Sequence, residues 1–293
     1  MKGIPVRSPS TIVNIAAVAF VLAALPLPAQ WPEVKTRRVP LTRDGKPNLA
    51  APAPKLADGK TPDLSGIWSA IRVPCEGSPA ERTFGCNDVP LGIPVAIMDV
   101  TATGSEDGQA GTTVPLPYQP WAEAQVKQNL ADIRKDDPTT RCLPISPVRQ
   151  WADFFPMKII QTEDTVVVLS EYMVQYRQIF LDGRPLPKDA FPSFKGYSVG
   201  HWEGDTLVVE TTGYKNGLWL DLKGDPLTEE GRTTERIRRP NYGRLEVQVT
   251  VNDPKAYTRP WSATRYLTLA VNTELIEDVC NENNKNPPHM VGK

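Results

Sequence analysis

The chain has 293 residues with 33 Lys and Arg against 34 Asp and Glu. A near-neutral balance without a basic stripe argues against nucleic acid as a partner. Thirty prolines, roughly twice average usage, argue against long helices and uninterrupted central strands. They favour many short strands with rigid connections.

The first 29 residues have the pattern of a secretory signal peptide. Lys2 and Arg7 form a positive end, residues 12–25 are apolar, Pro26 breaks the run, and Ala29 precedes Gln30. The run is short for a bilayer span, and no second run approaches that length. The expectation is an exported protein, periplasmic or secreted, with no membrane span in the mature chain. Export changes how cysteine is read, because an oxidising compartment favours disulfides. Of the three possible pairings, Cys75 with Cys86 and Cys142 with Cys280 are expected. The first closes an irregular loop and the second ties the start of the strand region to the end of the chain. The spacings lack C-x₂-C, so no metal site is expected.

Residues 30–60 have no apolar period and are expected to be an extended leader or linker. Residues 61–284 are expected to form a single barrel domain, with 285–293 a polar tail. Asp63-Leu64-Ser65-Gly66-Ile67-Trp68 is the first packed element. Residues 71–118 read as a long loop region. Residues 120–135 read as the one accessory helix, with Pro120 in its first turn and Ala122, Val126, Leu130 and Ile133 on one stripe.

From Met157 onward the period is two. Strands are expected around 159–160, 166–172, 176–181, 197–212 as a hairpin, 233–239, 245–251, 266–270 and 274–279. Leu245, Val247, Val249 and Val251 alternate with polar residues, the signature of a half-buried strand. Regular strands without crossover helices predict an all-β antiparallel meander. A meander this long closes to remove its edges.

Gly66-Ile67-Trp68 ahead of such a meander resembles the G-x-W start of lipocalin-like calycin barrels. That resemblance implies that the tryptophan closes one barrel end and that a late-strand basic residue, Arg265, packs across it. The chain also resembles a group of exported bacterial proteins without an assigned activity. The shared phrases include Pro62-Asp63-Leu64-Ser65-Gly66-Ile67-Trp68, Arg141-Cys142-Leu143-Pro144, Phe180-Leu181-Asp182-Gly183-Arg184 and Gly200-His201-Trp202-Glu203-Gly204-Asp205-Thr206-Leu207-Val208-Val209-Glu210-Thr211.

In the 197–212 hairpin, a two-residue turn at 203–204 sets His201 against Thr206 and Tyr197 against Glu210. Tyr197, His201 and Glu210 then share one face, where an imidazole and a carboxylate suit general acid and base work. A second pair follows from a three-residue loop at 173–175, which sets Glu171 against Arg177. Pointing inward, that pair is a clamp for a ligand carboxylate. Glu235 shares a face with Ile237 and reads as a buried acid. Trp219 and Asp221 sit in an apolar loop and read as a pocket rim. Arg232, Arg236, Arg238 and Arg239 read as a solvated mixed-charge face. No phosphate loop, metal motif or nucleophile elbow is present, so no cofactor is expected.

The leading expectation is an exported barrel that binds a hydrophobic or amphipathic small molecule. The alternatives are a cofactor-independent isomerase, hydro-lyase or hydrolase using His201 and Glu210, and a structural envelope protein.

Overall fold

The computed structural model describes residues 34–70, 116–132, 135–153 and 155–282. The leader at 1–29, the Cys75 and Cys86 pair and the polar tail lie outside these residues. Nine antiparallel-dominated strands close into a barrel. They are β1 (Gly66–Ala70), β2 (Met157–Gln161), β3 (Thr165–Ser170), β4 (Gln175–Phe180), β5 (Tyr197–Glu203), β6 (Thr206–Thr212), β9 (Arg232–Asn241), β10 (Arg244–Asn252) and β11 (Trp261–Ala270). A small pair, β7 (Leu218–Trp219) and β8 (Pro226–Leu227), lies outside the barrel order. The all-β class and the closure expected of the meander are both present.

Closure follows from alternation. On β10, Leu245, Val247, Val249 and Val251 are buried, while Gln248 and Asn252 are exposed. Each inward apolar side chain contributes about 1.5–3 kcal/mol as an upper estimate. β3 alternates likewise, with Val166, Val168 and Ser170 inward. β1 pairs with both β2 and β11, so the sheet has no free edge there.

Trp68 of the Gly66-x-Trp68 phrase is fully buried and its indole N–H donates to the Leu64 carbonyl at 2.9 Å. An arginine across it is Arg239. The Arg239 guanidinium carbon lies 4.9 Å from the ring centroid, and its Nη1 donates to the carbonyls of Asp63 and Ser65. Burial pulls its pKa down to about 10. Arg232, Arg236 and Arg238 are on the exposed side of β9 as read from the sequence.

Among the described residues, two α-helices are present rather than one. α1 (Pro120–Ala131) begins at its proline and buries Ala122 and Val126. Leu130 of the expected stripe is exposed, and Asn129 is buried in its place. α2 (Pro147–Ala152) buries all six residues. The Ser146 hydroxyl caps it by accepting from the Arg149 N–H at 3.2 Å. Arg149 forks onto the Asp137 carboxylate at 2.9 and 2.8 Å, fully inside the protein.

One seam departs from the meander. β4 and β5 run parallel and pair through only two residues, Ile179 with Ser198 and Phe180 with Val199. Parallel neighbours need a long connection, and residues 181–196 supply it. Gly196 ends that connection at φ +64°, where a Cβ would lie 2.7 Å from Thr211 and 2.8 Å from the Thr212 carbonyl. Any other residue there forces β5 off its neighbour β6.

The expected strand at 274–279 is irregular chain. It packs against the β3–β4 turn through Ile276 N–H to Glu171 Oε2 and Met173 N–H to Asp278 Oδ2. Cys280 is bonded to Cys142, with Cα atoms 5.6 Å apart. Part of the segment read as a linker is also tied down: Leu49 and Ala51 carbonyls accept from Gly243 and Tyr242. The disulfide spans 138 residues, a closure that stabilises by about 5 kcal/mol in the chain-entropy account. Replacing both Cys142 and Cys280 by Ser is expected to lower the free energy of urea unfolding by several kcal/mol. A change below about 1 kcal/mol contradicts this closure role.

Candidate functional site

The barrel interior carries one row of polar side chains. Arg177 projects inward from β4 and Glu235 from β9, and both are buried. Between these strands lie β5 and β6, so the two residues meet across the inside. Arg177 Nη1 donates to Glu235 Oε1 at 3.0 Å, and Nη2 donates to Oε2 in a closer contact. On the way the guanidinium donates to the Ser198 hydroxyl through Nε and Nη2 at 3.1 and 3.0 Å. It also donates to the Thr211 hydroxyl at 2.9 Å. Ser198 pairs with Thr211 in the β5–β6 register. The row therefore runs over four consecutive strands, and Arg177 bridges the seam where the backbone ladder does not.

The remaining side of Glu235 is met by α2. The Trp151 indole N–H donates to Glu235 Oε1, and Trp151 is 1% exposed. A buried tryptophan of α2 is thus tied to the interior carboxylate. Burial pulls the Arg177 pKa down, but the Glu235 charge and hydrogen bonds more than offset this, and the net direction is upward. An arginine so held stays charged, and it has its counter-ion.

A cleft of about 520 Å³ opens beside this row, where β4 and β5 part. Its wall includes Tyr176, Phe180, Phe194 and Tyr197, and Arg177 and Lys195 line it as well. The Lys195 ammonium lies 3.1 Å from the Gln150 Oε1 acceptor on α2. Burial and the Arg177 charge push its pKa down to about 7, with Asp153 pulling the other way. At the rim, the Phe180 and Tyr197 rings are 5.3 Å apart and Arg184 lies 3.9 Å over Phe180. The Tyr197 hydroxyl accepts from Arg184 Nη1 at 3.1 Å.

The hairpin expected to hold acid and base is placed differently. Its turn is at Gly204 and Asp205, with Glu203 opposite Thr206 and His201 opposite Val208. Gly204 takes φ +61° at the first loop position, the II′ pattern. Each partner shifts by two residues, so parity is kept. Tyr197, His201 and Glu210 share a face, and that face is the outer one. His201 is 59% exposed and lies 3.3 Å from Glu203, which Arg236 approaches at 2.9 Å. These two partners, Arg236 first, hold the Glu203 carboxyl below its usual range. Glu210 is exposed. Of the three, only Tyr197 borders the cleft.

Glu171 does not oppose Arg177. The β3–β4 register pairs Arg177 with Val168, and Glu171 begins the four-residue connection. Its carboxylate receives Ile276 N–H instead. The acid that meets Arg177 is Glu235. Trp219 and Asp221 lie at the β7–β8 hairpin rather than on the cleft. The Trp219 carbonyl accepts from Ser146, and Asp221 accepts from the Lys223 and Asp225 N–H groups. Among the described residues no cluster of three or more metal-ligating side chains is found.

Trp151, Ser198, Thr211 and Lys195 were not singled out from sequence. Ser146-Pro147 is a helix-start signal that points to α2. Nothing local marks Lys195, because the charge that acts on it comes from Arg177, on a strand it joins only through the fold.

No protein-family model matches the chain, and no curated protein matches it. Among the solved structures that match, two are similar at a low level. A variant of the fluorescent protein UnaG shares 19% identity at a TM-score of 0.27, over 48% of this chain and 88% of that one. The REP1-NXSQ fatty acid transporter shares 11% identity at 0.26, over 48% and 88%. Likenesses at this level do not bear on what this chain binds.

Removing one partner of a buried pair leaves an uncompensated charge, which costs about 3–5 kcal/mol. Glu235→Gln is therefore expected to lose stability on that scale in urea unfolding. His201→Ala and Glu210→Gln are expected to stay within about 0.5 kcal/mol of the parent. Comparable losses from all three contradict the placement.

Proposed function

We propose that this is an exported binding protein for a small amphipathic molecule, held in the cleft between β4 and β5 rather than along the barrel axis. The observation that carries the reading is the parting of β4 and β5, which leaves a ligand-sized opening with aromatic walls and cationic groups. Sites for small molecules combine mainly apolar walls with a few placed polar groups. Tyr176, Phe180 and Phe194 supply the walls. Lys195, next to Arg177, supplies the polar end and favours an oxygen-rich or anionic head group. The interior beside Glu235 is a poor alternative, because the buried Trp151 indole is hydrogen-bonded there.

Export is supported by the leader pattern in the first 29 residues. The Cys142–Cys280 disulfide suits an oxidising compartment. No helix among the described residues is long and apolar enough to cross a membrane.

A panel of medium-chain and aryl carboxylates tests the reading by thermal unfolding. A ligand at about 100 times its Kd adds roughly 2.7 kcal/mol, which corresponds to a rise of several degrees in Tm. The rise is expected to shrink in Phe194→Ala. No rise across the panel, or a rise that Phe194→Ala leaves untouched, contradicts the cleft as the site.

A further inference from the structure

We propose that Lys195 is a nucleophilic amine that captures carbonyl ligands, aldehydes or ketones with an apolar body, as imines in the β4–β5 cleft. This rests on the cleft being a ligand site and names the chemistry it would perform. Lys195 lines a cleft of about 520 Å³ together with Phe194, Tyr176 and Arg177. Its Nζ donates to Gln150 Oε1 at 3.1 Å. A neutral amine so anchored spends one N–H on the amide and keeps its lone pair for another partner.

The charged neighbours favour the neutral form. Arg177 faces Lys195 from β4 with its own positive charge, and Asp153, beyond α2, opposes it more weakly than burial and Arg177 together. The amine therefore loses its proton near pH 7 rather than in the ordinary range around 10.4. At neutral pH a substantial share of it is free base, far more than for a surface lysine. A lysine desolvated in an apolar site beside another cation is the recognised way to make this side chain a nucleophile.

The step balances without an oxidant or cofactor. The Lys195 nitrogen lone pair attacks the carbonyl carbon, a C–N bond forms, and the carbonyl pair moves to oxygen. The nitrogen gives up a proton and the oxygen takes one, forming a carbinolamine. Loss of water then leaves the imine, and the reverse sequence releases the carbonyl compound.

Reductive trapping tests this. The protein is incubated with cinnamaldehyde and sodium cyanoborohydride, and adducts are located by peptide mass mapping. The expected result at pH 7 is one dominant adduct at Lys195, formed at least about tenfold faster than at any other lysine. Its rate is expected to fall by half near pH 7 on acidification, because protonation removes the lone pair. Lys195→Met, which removes the amine without placing a fixed charge beside Arg177, is expected to abolish the dominant adduct while Tm changes little. Labelling spread over exposed lysines such as Lys188 and Lys215, or a dominant adduct that survives Lys195→Met, overturns the inference. A carboxylate-induced rise in Tm without a Lys195 adduct sinks the imine chemistry alone and leaves the binding reading standing. Failure of both assays sinks the two together.

Discussion

The ion pair between Arg177 and Glu235 is the constraint on which this barrel depends. Every other neighbour pair in the sheet order is antiparallel, but β4 and β5 are parallel and share two residue pairs. A barrel closed at every joint except one is weakest there. Arg177 crosses that joint from the inside and fastens β4 to Ser198, Thr211 and Glu235 in turn. A buried ion pair is often no more stabilising than a well-packed apolar pair. Here the pair also has a position to hold, since its fork fixes the order of four strands.

The same pair sets where a ligand can and cannot go. Glu235 holds the buried Trp151 indole, which packs α2 against the interior polar row. α2 in turn is anchored by Arg149 on Asp137 and by its Ser146 cap. What is left open is the outside of the joint, where the strands part and Lys195 comes to lie. Burial, and after it the charge that holds the barrel together, weaken the hold of Lys195 on its proton. Structure and chemistry are thus linked through one guanidinium.

Much of the fold was legible in the sequence because alternation is a local signal. Leu245, Val247, Val249 and Val251 announce their strand, and the 197–212 hairpin announces its shared face. Which side of that face is interior is decided by closure, which no single strand records. His201 and Glu210 therefore turned out to lie outside. Turn register is a second weak point. A four-residue connection in place of a three-residue one moved Glu171 off Arg177, and the true partner, Glu235, is 58 residues away. An arginine over Trp68, Arg239, likewise comes from β9, far from it in sequence. Long-range pairings of this kind leave no spacing to read. Lys195 is the extreme case, an unremarkable Phe-Lys-Gly tripeptide whose character comes wholly from its neighbours in space.

The most direct test of this account is a crystal structure with a bound medium-chain or aryl carboxylate. The account predicts the ligand beside Lys195 and Phe194, outside an intact Arg177–Glu235 pair, with Trp151 still in the barrel. A ligand lying along the axis with Trp151 displaced would contradict it.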